Sequence, residues 1–280
     1  VNICISIIKL VLIEILTLIT IGLNKMKQLS KTELAIMNST TVFSKTVKDI
    51  NNGLGKTENL IKKSTNVKLG KKVTKGIYKG YPIFTLTLEE RKTCPRSCKH
   101  WNNCYGNNMP FATRYDVNPQ FEQRLEEELT VLNKKYPNGF LVRLHILGDF
   151  YSVSYVAKWG KWLSMFKGLT VYGYTANQPN AIDDKERNIA QAIQTIRNNS
   201  NGRFAIRFSG NYEQSFTANS FDETQAKAQV KDKKAFICPT QVTKENPTRL
   251  AKKDETTIVS DCGACGLCWT SNKTVVFLTH

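Results

Sequence analysis

The stretch FLVRLHILGDF, residues 140–150, decides the fold of this 280-residue chain. Its first eight positions are largely apolar and predict a β-strand, which the following Gly-Asp-Phe ends. Apolar residues at helical spacing then predict helices over residues 153–167 and 183–198, and β-type runs predict strands over residues 169–175 and 203–209. Strands that alternate with helices through short links are typical of βαβ units and a parallel sheet.

Two further elements precede this stretch, a strand over residues 81–88 and an amphipathic helix over residues 121–132. Four strands and three helices are too few for a closed eight-stranded barrel. The expected fold class is therefore α/β, with either a partial, barrel-like (β/α) arrangement or an open, mostly parallel sheet. Residues 210–234 are polar and predict a surface loop, and residues 274–278 predict a last strand.

Composition divides the chain into four regions. Residues 1–25 form an apolar leader, residues 26–80 a basic N-terminal arm, residues 81–237 the α/β domain, and residues 238–280 a cysteine-rich C-terminal module. A hydrophobic content of 41% is a globular value, so the chain can build a sizeable core.

The apolar leader has two interpretations. Residues 1–23 are long enough for a membrane span, but Lys9 and Glu14 interrupt them at a depth where charges are costly. Met26 opens an ordinary polar stretch, which favours a start site called too early over a membrane anchor. A membrane is therefore expected as a partner only if the leader is a genuine anchor.

The basic arm also has two interpretations. Eight lysines lie between Lys56 and Lys79, against the single acid Glu58, and the whole chain carries a formal net charge of +17. Such an excess suits a solvated, loosely ordered arm or one that binds nucleic acid or another polyanion. No aromatic residue interrupts the lysine run before Tyr78, which weakens a role in base stacking.

Seven of the eight cysteines fall into two sets. The first set has the spacing C-x3-C-x5-C and follows the strand over residues 81–88; its members are Cys94, Cys98 and Cys104. The second set closes the chain and consists of Cys238, Cys262, Cys265 and Cys268. Closely spaced thiolates suit a soft metal or an iron–sulfur cluster, and no secretory context supports the alternative of disulfides. Three ligands on a four-iron cluster leave one iron open, whereas four ligands close the site.

Several candidate binding residues come directly after predicted strands, where a parallel α/β sheet binds its ligands. They are Gly148, Asp149, Tyr174 and Ser209, and we expect them on one rim with the first cysteine set. For Gly148-Asp149 the alternative is a turn followed by a helix cap. His145 is expected in the core or at the rim, while His100, inside the first cysteine set, is a candidate ligand.

The sequence from residue 76 to residue 280 resembles the gene-product-88-like proteins of phages and bacteria. The runs that carry the resemblance are TLEERKTCPRSCKHWNNCYGNNMPFATR, RLHILGDFYSVSYV, YGYTA, RFAIRFS, ICPTQ and CGACGLCW. The family is uncharacterised, so the resemblance implies no activity. It implies a cytoplasmic protein with cysteine clusters.

A more distant resemblance is to radical S-adenosylmethionine enzymes. It implies a [4Fe–4S] cluster on Cys94, Cys98 and Cys104, with S-adenosylmethionine as a candidate cofactor whose amine lies at Gly148-Asp149. The four remaining cysteines would then hold a second, auxiliary cluster. An unidentified substrate and an electron donor are the partners that such an enzyme requires. The pattern departs from the usual C-x3-C-x2-C, because the last gap here has five residues.

The alternative function is a zinc- or cluster-stabilised protein that binds nucleic acid without catalysis. Cys262, Cys265 and Cys268 with Cys238 fit a Cys4 zinc site, and the first cysteine set with His100 fits a Cys3His site. The net charge would then serve phosphate contacts. No helix rich in arginine or lysine is visible to read bases, which favours the iron–sulfur enzyme.

Overall fold

The computed structural model describes residues 11–17, 19, 29–50, 58–210, 217–231, 235–248 and 260–279. Most of the predicted leader lies outside these ranges; of its residues, 11–17 are helical and exposed. Among the residues that the structure describes, no helix has both the length and the apolar composition that a membrane crossing requires.

The core of the protein is one open sheet. The strands are, in chain order, β1 (Val47–Lys48), β2 (Lys62–Lys63), β3 (Ile83–Thr85), β4 (Arg114–Tyr115), β5 (Phe140–Leu144), β6 (Leu169–Thr175), β7 (Phe204–Ser209), β8 (Thr217–Phe221), β9 (Ala235–Ile237) and β10 (Thr274–Leu278). Eight of them form a sheet in the order β2–β3–β5–β6–β7–β8–β10–β9, and β1 pairs with β4. Only the β2–β3 pair in this sheet is antiparallel. The predicted α/β fold with an open, mostly parallel sheet is confirmed, and within the described residues the sheet does not close into a barrel.

The described α-helices are α1 (Lys31–Met37), α2 (Pro119–Lys135), α3 (Val153–Met165), α4 (Asp184–Asn199), α5 (Glu223–Lys231), α6 (Cys262–Cys265) and α7 (Leu267–Thr270). The three long helices each begin at a side-chain cap, provided by Asn118, Ser152 and Asp183. Each cap accepts a hydrogen bond from a backbone N–H that the first helical turn would otherwise leave unpaired. These caps explain why the helices start where the apolar spacing predicts them.

The first face of the sheet carries the main hydrophobic core, because α2, α3 and α4 pack against it. Trp159 and Trp162 of α3 are fully buried there. The N-terminal part of the chain docks on the same side. The backbone N–H groups of Leu60 and Ile61 donate to the Glu128 carboxylate of α2 over 2.8 and 2.9 Å.

The second face of the sheet is covered by residues 68–81 and by the short helices α6 and α7. Val73 and Trp269 pack there against Leu141 and Tyr172 of the sheet, and none of the four is more than 5% exposed. The interpretation of the basic arm as loosely ordered is therefore wrong for residues 58–80. Four of its apolar side chains, Leu60, Ile61, Val73 and Tyr78, are buried in the two cores, while its lysines remain exposed.

The sheet is larger than the sequence predicts. Residues 210–234 do not form only a surface loop, because β8 and α5 lie in this stretch and β8 joins the sheet between β7 and β10. The residues Thr217, Ala218 and Asn219 are at most 7% exposed, although none is a large apolar side chain. The sheet also runs across the boundaries drawn at residues 80 and 237, since β2 and β10 both belong to it.

Candidate metal centres

The first cysteine set lies in a loop that leaves the carboxyl end of β3. We call residues 94–104 the three-cysteine loop. Its cysteines, Cys94, Cys98 and Cys104, are free and half-buried. The loop therefore places three thiols at the rim where a parallel sheet binds ligands, as the sequence predicts.

A buried arginine fixes the turn that follows the loop. Arg114 pairs with Glu90 through two contacts of 2.6 and 3.1 Å, and neither side chain is more than 1% exposed. The same guanidinium donates to the carbonyl oxygens of Gly106, Met109 and Ala112 over 2.9, 3.2 and 2.8 Å. A buried ion pair is tolerated when its remaining donors find acceptors, and here they hold three points of one turn.

A second buried arginine fixes the loop itself. Arg91 adopts a left-handed backbone conformation with φ 62° and is 2% exposed. It donates to the Trp101 carbonyl (3.1 Å), the Thr40 carbonyl (3.2 Å) and the Asn107 side-chain oxygen (2.8 Å). The chain around Thr40 is thus held against the three-cysteine loop, although more than fifty residues separate them in the sequence.

The Gly148-Asp149 turn supports the loop from below. Gly148 has φ +82°, and a Cβ there would lie 2.6 Å from both the Leu88 Cβ and the Thr93 hydroxyl, so no larger residue fits. The backbone N–H of Asp149 donates to that same Thr93 hydroxyl over 3.1 Å. The turn is therefore packed directly against the residue that precedes Cys94.

The Asp149 carboxylate is engaged by the protein itself. Its Oδ1 accepts from the Phe150 N–H (2.7 Å), the Thr175 hydroxyl (2.7 Å) and the Asn177 amide (3.3 Å), and its Oδ2 accepts from the Ala176 N–H (2.6 Å). Burial raises the pKa of Asp149 to about 6, and these hydrogen bonds oppose that rise. The side chain links the ends of β5 and β6, whereas the cap of the following helix is Ser152 and not Asp149.

The thiols of the loop are held in their protonated form. Burial raises the pKa of Cys94, and the Asp149 charge raises it further. Burial also raises the pKa of Cys98 to about 11, and that of Cys104 rises for the same reason. Metal binding requires thiolates, so these cysteines would release protons when they bind a metal.

Trp101, in the same loop, has an indole N–H without an acceptor. The side chain is 9% exposed, and Nε1 has no hydrogen-bond partner among the described residues. The Arg96 guanidinium lies 4.6 Å from the centre of the indole ring. Buried donors in native proteins almost always have an acceptor, so this N–H is available to a group bound at the loop.

The other predicted rim residues divide between the two sides of the sheet. The Ser209 carbonyl accepts a hydrogen bond from the Gln178 amide, and a Cβ on Gly210 would lie 4.0 Å from the Lys99 Cε of the three-cysteine loop. Ser209 therefore lies at the same rim as that loop. Tyr174 points the other way, with its hydroxyl 3.0 Å from the Cys268 sulfur. His145 is 4% exposed and His100 is exposed.

The second cysteine set assembles from two distant parts of the chain. Cys238 follows β9, whereas Cys262, Cys265 and Cys268 belong to α6 and α7. All four line one cavity, together with residues such as Thr240 and Trp269. We call Cys238 and residues 262–270 the four-cysteine module.

Two thiols of this module, those of Cys238 and Cys262, have a raised pKa as well. Burial, followed by the neighbouring Cys268, raises the pKa of Cys238 to about 11. The same two causes raise the pKa of Cys262. The shared cavity is the observation that brings the thiols of the two segments together.

A third buried arginine anchors this module to the sheet. Arg207 of β7 is fully buried and donates to the Cys268 (3.0 Å) and Leu267 (3.1 Å) carbonyls of α7. Its other donors reach the carbonyls of Lys273 (2.7 Å), Thr217 (3.3 Å) and Ser271. One guanidinium thus satisfies the carboxyl end of α7, where a helix leaves carbonyls unpaired.

Glycines allow the module to approach its neighbours. Gly266 joins α6 to α7 with φ 68°, a left-handed conformation that favours glycine. A Cβ on Gly263 would lie 2.3 Å from the Lys72 carbonyl, and the Cys262 N–H donates to the Lys68 carbonyl over 2.9 Å. The basic segment around residue 70 and the module therefore form one layer over the second face.

No group of three or more His, Cys, Asp or Glu side chains in the described ranges is arranged to hold a single metal ion. The structure places three thiols in one half-buried loop and four thiols around one cavity.

The three anchoring arginines were not identified from the sequence. Arg91, Arg114 and Arg207 are at most 2% exposed, and together they position both cysteine sets. A signal was present for Arg207, since it interrupts the apolar run of β7. A charged residue inside a buried strand needs several acceptors, but only the fold shows where they lie.

The chain matches the family model described as gene product 88 over residues 56–271. The matched residues contain both cysteine sets and all three anchoring arginines. Neither the curated proteins nor the solved structures contain a significant match, and no match supports the resemblance to radical S-adenosylmethionine enzymes. The length of the match shows that the chain belongs to the gene product 88 family.

Proposed function

We propose that this protein is an iron–sulfur protein with two centres, one closed by four cysteines and one left open by three. The observation that carries the proposal is the shared cavity: four thiols from two distant chain segments line it. The donor set supports iron–sulfur chemistry, because both centres offer three or more cysteine sulfurs.

The four-cysteine module would hold the closed cluster. Each cysteine of a four-iron cluster binds a different iron, so its sulfurs lie farther apart than those around one zinc ion. The four thiols that line one cavity supply the four ligands that such a cluster needs. With four protein ligands this centre would stabilise the fold and store or pass single electrons.

The three-cysteine loop would hold the open cluster. Three thiols leave one iron without a protein ligand, and the loop lies at the rim where a small molecule can reach it. The buried indole N–H of Trp101 is a suitable donor to a cluster sulfur. Hydrogen bonds of this kind tune the potential at which a cluster accepts an electron.

In its more specific form, the proposal is that S-adenosylmethionine is the small molecule that binds at the open centre. An electron donor would then be the protein's partner. The support for it is the three-to-four division of the cysteines. Asp149 does not add to that support, because its carboxylate already accepts four hydrogen bonds from the protein. The proposal therefore rests on the open iron and assigns no ammonium-binding role to Asp149.

Purification without oxygen tests the proposal. We expect a brown protein with about eight iron atoms and eight sulfides per chain, the content of two four-iron clusters. Replacing the three loop cysteines by serine should halve the iron content, whereas Cys4→Ser, in neither set, should leave it unchanged. A colourless protein that carries zinc at both sites would overturn the proposal.

A further inference from the structure

We propose that the turn at residues 105–111 is a platform on which single-stranded nucleic acid stacks its bases. The turn directly follows Cys104, and the inference does not depend on which metal the cysteines hold. It concerns a partner that neither the family match nor the proposed clusters identify.

Two aromatic side chains of this turn face the solvent. Phe111 is 95% exposed and Tyr105 is 56% exposed. Exposed rings of this size are costly to hydrate, and these two lie within seven residues of each other in the sequence. A partner that covered them would remove this cost.

The turn that carries these rings is rigid. The Arg114 guanidinium holds the carbonyls of Gly106, Met109 and Ala112, which lie on both sides of Phe111. Arg114 is itself fully buried and paired with Glu90. The aromatic rings are therefore presented by a fixed backbone, which reduces the entropy that binding would otherwise cost.

The charge of the surrounding surface favours a polyanion. No Asp or Glu occurs between Arg91 and Tyr115, whereas Arg96 and Lys99 are exposed there.

The acids nearest to this stretch are already engaged. The Asp116 carboxylate lies 2.7 Å from the Lys92 ammonium, and the Ser97 hydroxyl donates to Glu186 over 2.5 Å. With a net charge of +17 on the chain, a phosphate backbone would be attracted to this face.

Single strands fit this surface better than a duplex or an acidic protein. The bases of a duplex are stacked on each other and offer no face to Phe111 or Tyr105, whereas a single strand offers one π-face per nucleotide. An acidic protein would satisfy the cations but not the two exposed rings. Exposed cations and exposed rings in one short segment are the combination that single-strand binding surfaces use.

The lysine-rich segment differs from the turn in one decisive respect. Its lysines at residues 62–79 are exposed, but Tyr78 is 8% exposed and packs against the sheet. This segment can therefore supply phosphate contacts only. The base contacts have to come from the turn.

Fluorescence anisotropy with a labelled 20-nucleotide single strand tests the inference on the full chain. We expect Phe111→Ala and Tyr105→Ala each to weaken binding about 5- to 100-fold, the range found for one lost stacking contact. Neither change removes a charge, so the dependence of affinity on salt should stay the same. Ile77→Ala, a 77% exposed residue of the basic segment, is the matched control and should bind as the parent protein does.

An abasic strand of equal length separates stacking from charge. The parent protein should bind it more weakly than the normal strand, and the two aromatic variants should lose nothing further. Equal binding of both strands by all proteins, or equal binding of the duplex or of polyglutamate, would overturn the inference. Iron content is measured on the same samples, so a cluster-bearing protein that ignores single strands overturns only this inference. A strand-binding protein without iron overturns only the proposed clusters.

Discussion

The two cysteine regions bring their thiols together in different ways. The three-cysteine loop gathers its thiols within eleven residues at the rim of the sheet, and most of its anchors lie nearby in the sequence. The four-cysteine module brings Cys238 together with residues 262–270 and lies flat on the second face of the sheet. One region is a local attachment, and the other is part of the core.

This difference determines what each region does for the fold. If the three-cysteine loop opens, the sheet beneath it stays covered by α2, α3 and α4. If the four-cysteine module detaches, the buried residues Ile83, Leu141 and Tyr172 lose their cover. We therefore expect damage to the loop to stay local and damage to the module to spread through the sheet.

The largest expected effect is a loss of unfolding free energy when an anchoring arginine is replaced, and it differs between Arg207 and Arg91. Arg207→Lys keeps the charge but cannot reach five carbonyls, and each buried acceptor left unpaired costs about 1 to 3 kcal/mol. We expect the free energy of unfolding to fall by about 4 kcal/mol or more. Arg91→Lys loses fewer contacts and should cost about 2 kcal/mol. Urea unfolding of both variants measures the difference.

Limited proteolysis locates the damage in the same two variants. Cleavage should begin within residues 260–273 in Arg207→Lys and within residues 91–113 in Arg91→Lys. If both variants were first cut in the same segment, the two regions would not be independent. The contrast between a local attachment and a part of the core would then fail.

The next effect compares one cysteine from each region in the metal-loaded protein. Cys268→Ser removes a proposed ligand and a buried side chain that packs on the sheet, so we expect a loss of about 3 kcal/mol in unfolding free energy. Cys98→Ser should cost less than about 1 kcal/mol, because the loop does not cover the sheet. Thermal unfolding and iron content are measured together. A similar loss of stability in both variants would contradict the assignment of structural and open centres.

The sequence predicts those elements whose pattern is local. The bounds of β6 and β10 agree with the prediction, because both are unbroken β-type runs between turn residues. β8 was missed, because its buried residues are small or polar and only its neighbours in the sheet make it a strand.

Some features of the candidate site are likewise predictable from the sequence, and others are not. Spacing alone groups the cysteines into two sets, and the shared cavity brings the members of the second set together. The anchoring arginines could not be identified from the sequence, because the sequence does not show which carbonyls each arginine binds. Asp149 illustrates the limit: its position after β5 is readable, whereas its four donors come from the β5 end and from β6 and its following loop.

The smallest expected effect is the loss of folding stability at low pH that arises from His145, at the rim beneath the three-cysteine loop. His145 directly follows β5, with its Nε2 3.1 Å from the Tyr155 hydroxyl and its ring centre 4.8 Å from that of Phe150. Burial, with a smaller contribution from the Arg143 charge, lowers the pKa of His145 to about 3. In the unfolded chain the imidazole would titrate near its ordinary pKa of about 6.5. The neutral ring therefore stabilises the fold fully above pH 6.5, and this stability is lost as the pH falls toward 3.

Between pH 7 and pH 4.5 the loss from His145 amounts to about 2 to 3 kcal/mol, from two pH units at 1.36 kcal/mol each. Asp149, whose pKa burial raises to about 6, contributes with the opposite sign over the same interval. The test is therefore a difference between two proteins. His145→Gln keeps an amide that can pair with Tyr155 but does not titrate, while every other group titrates in both. Urea unfolding at the two pH values should show the parent protein losing about 2 to 3 kcal/mol relative to the variant. Equal losses in both proteins would mean that acid acts elsewhere, and the rim beneath the loop would then not be the acid-sensitive part of the fold.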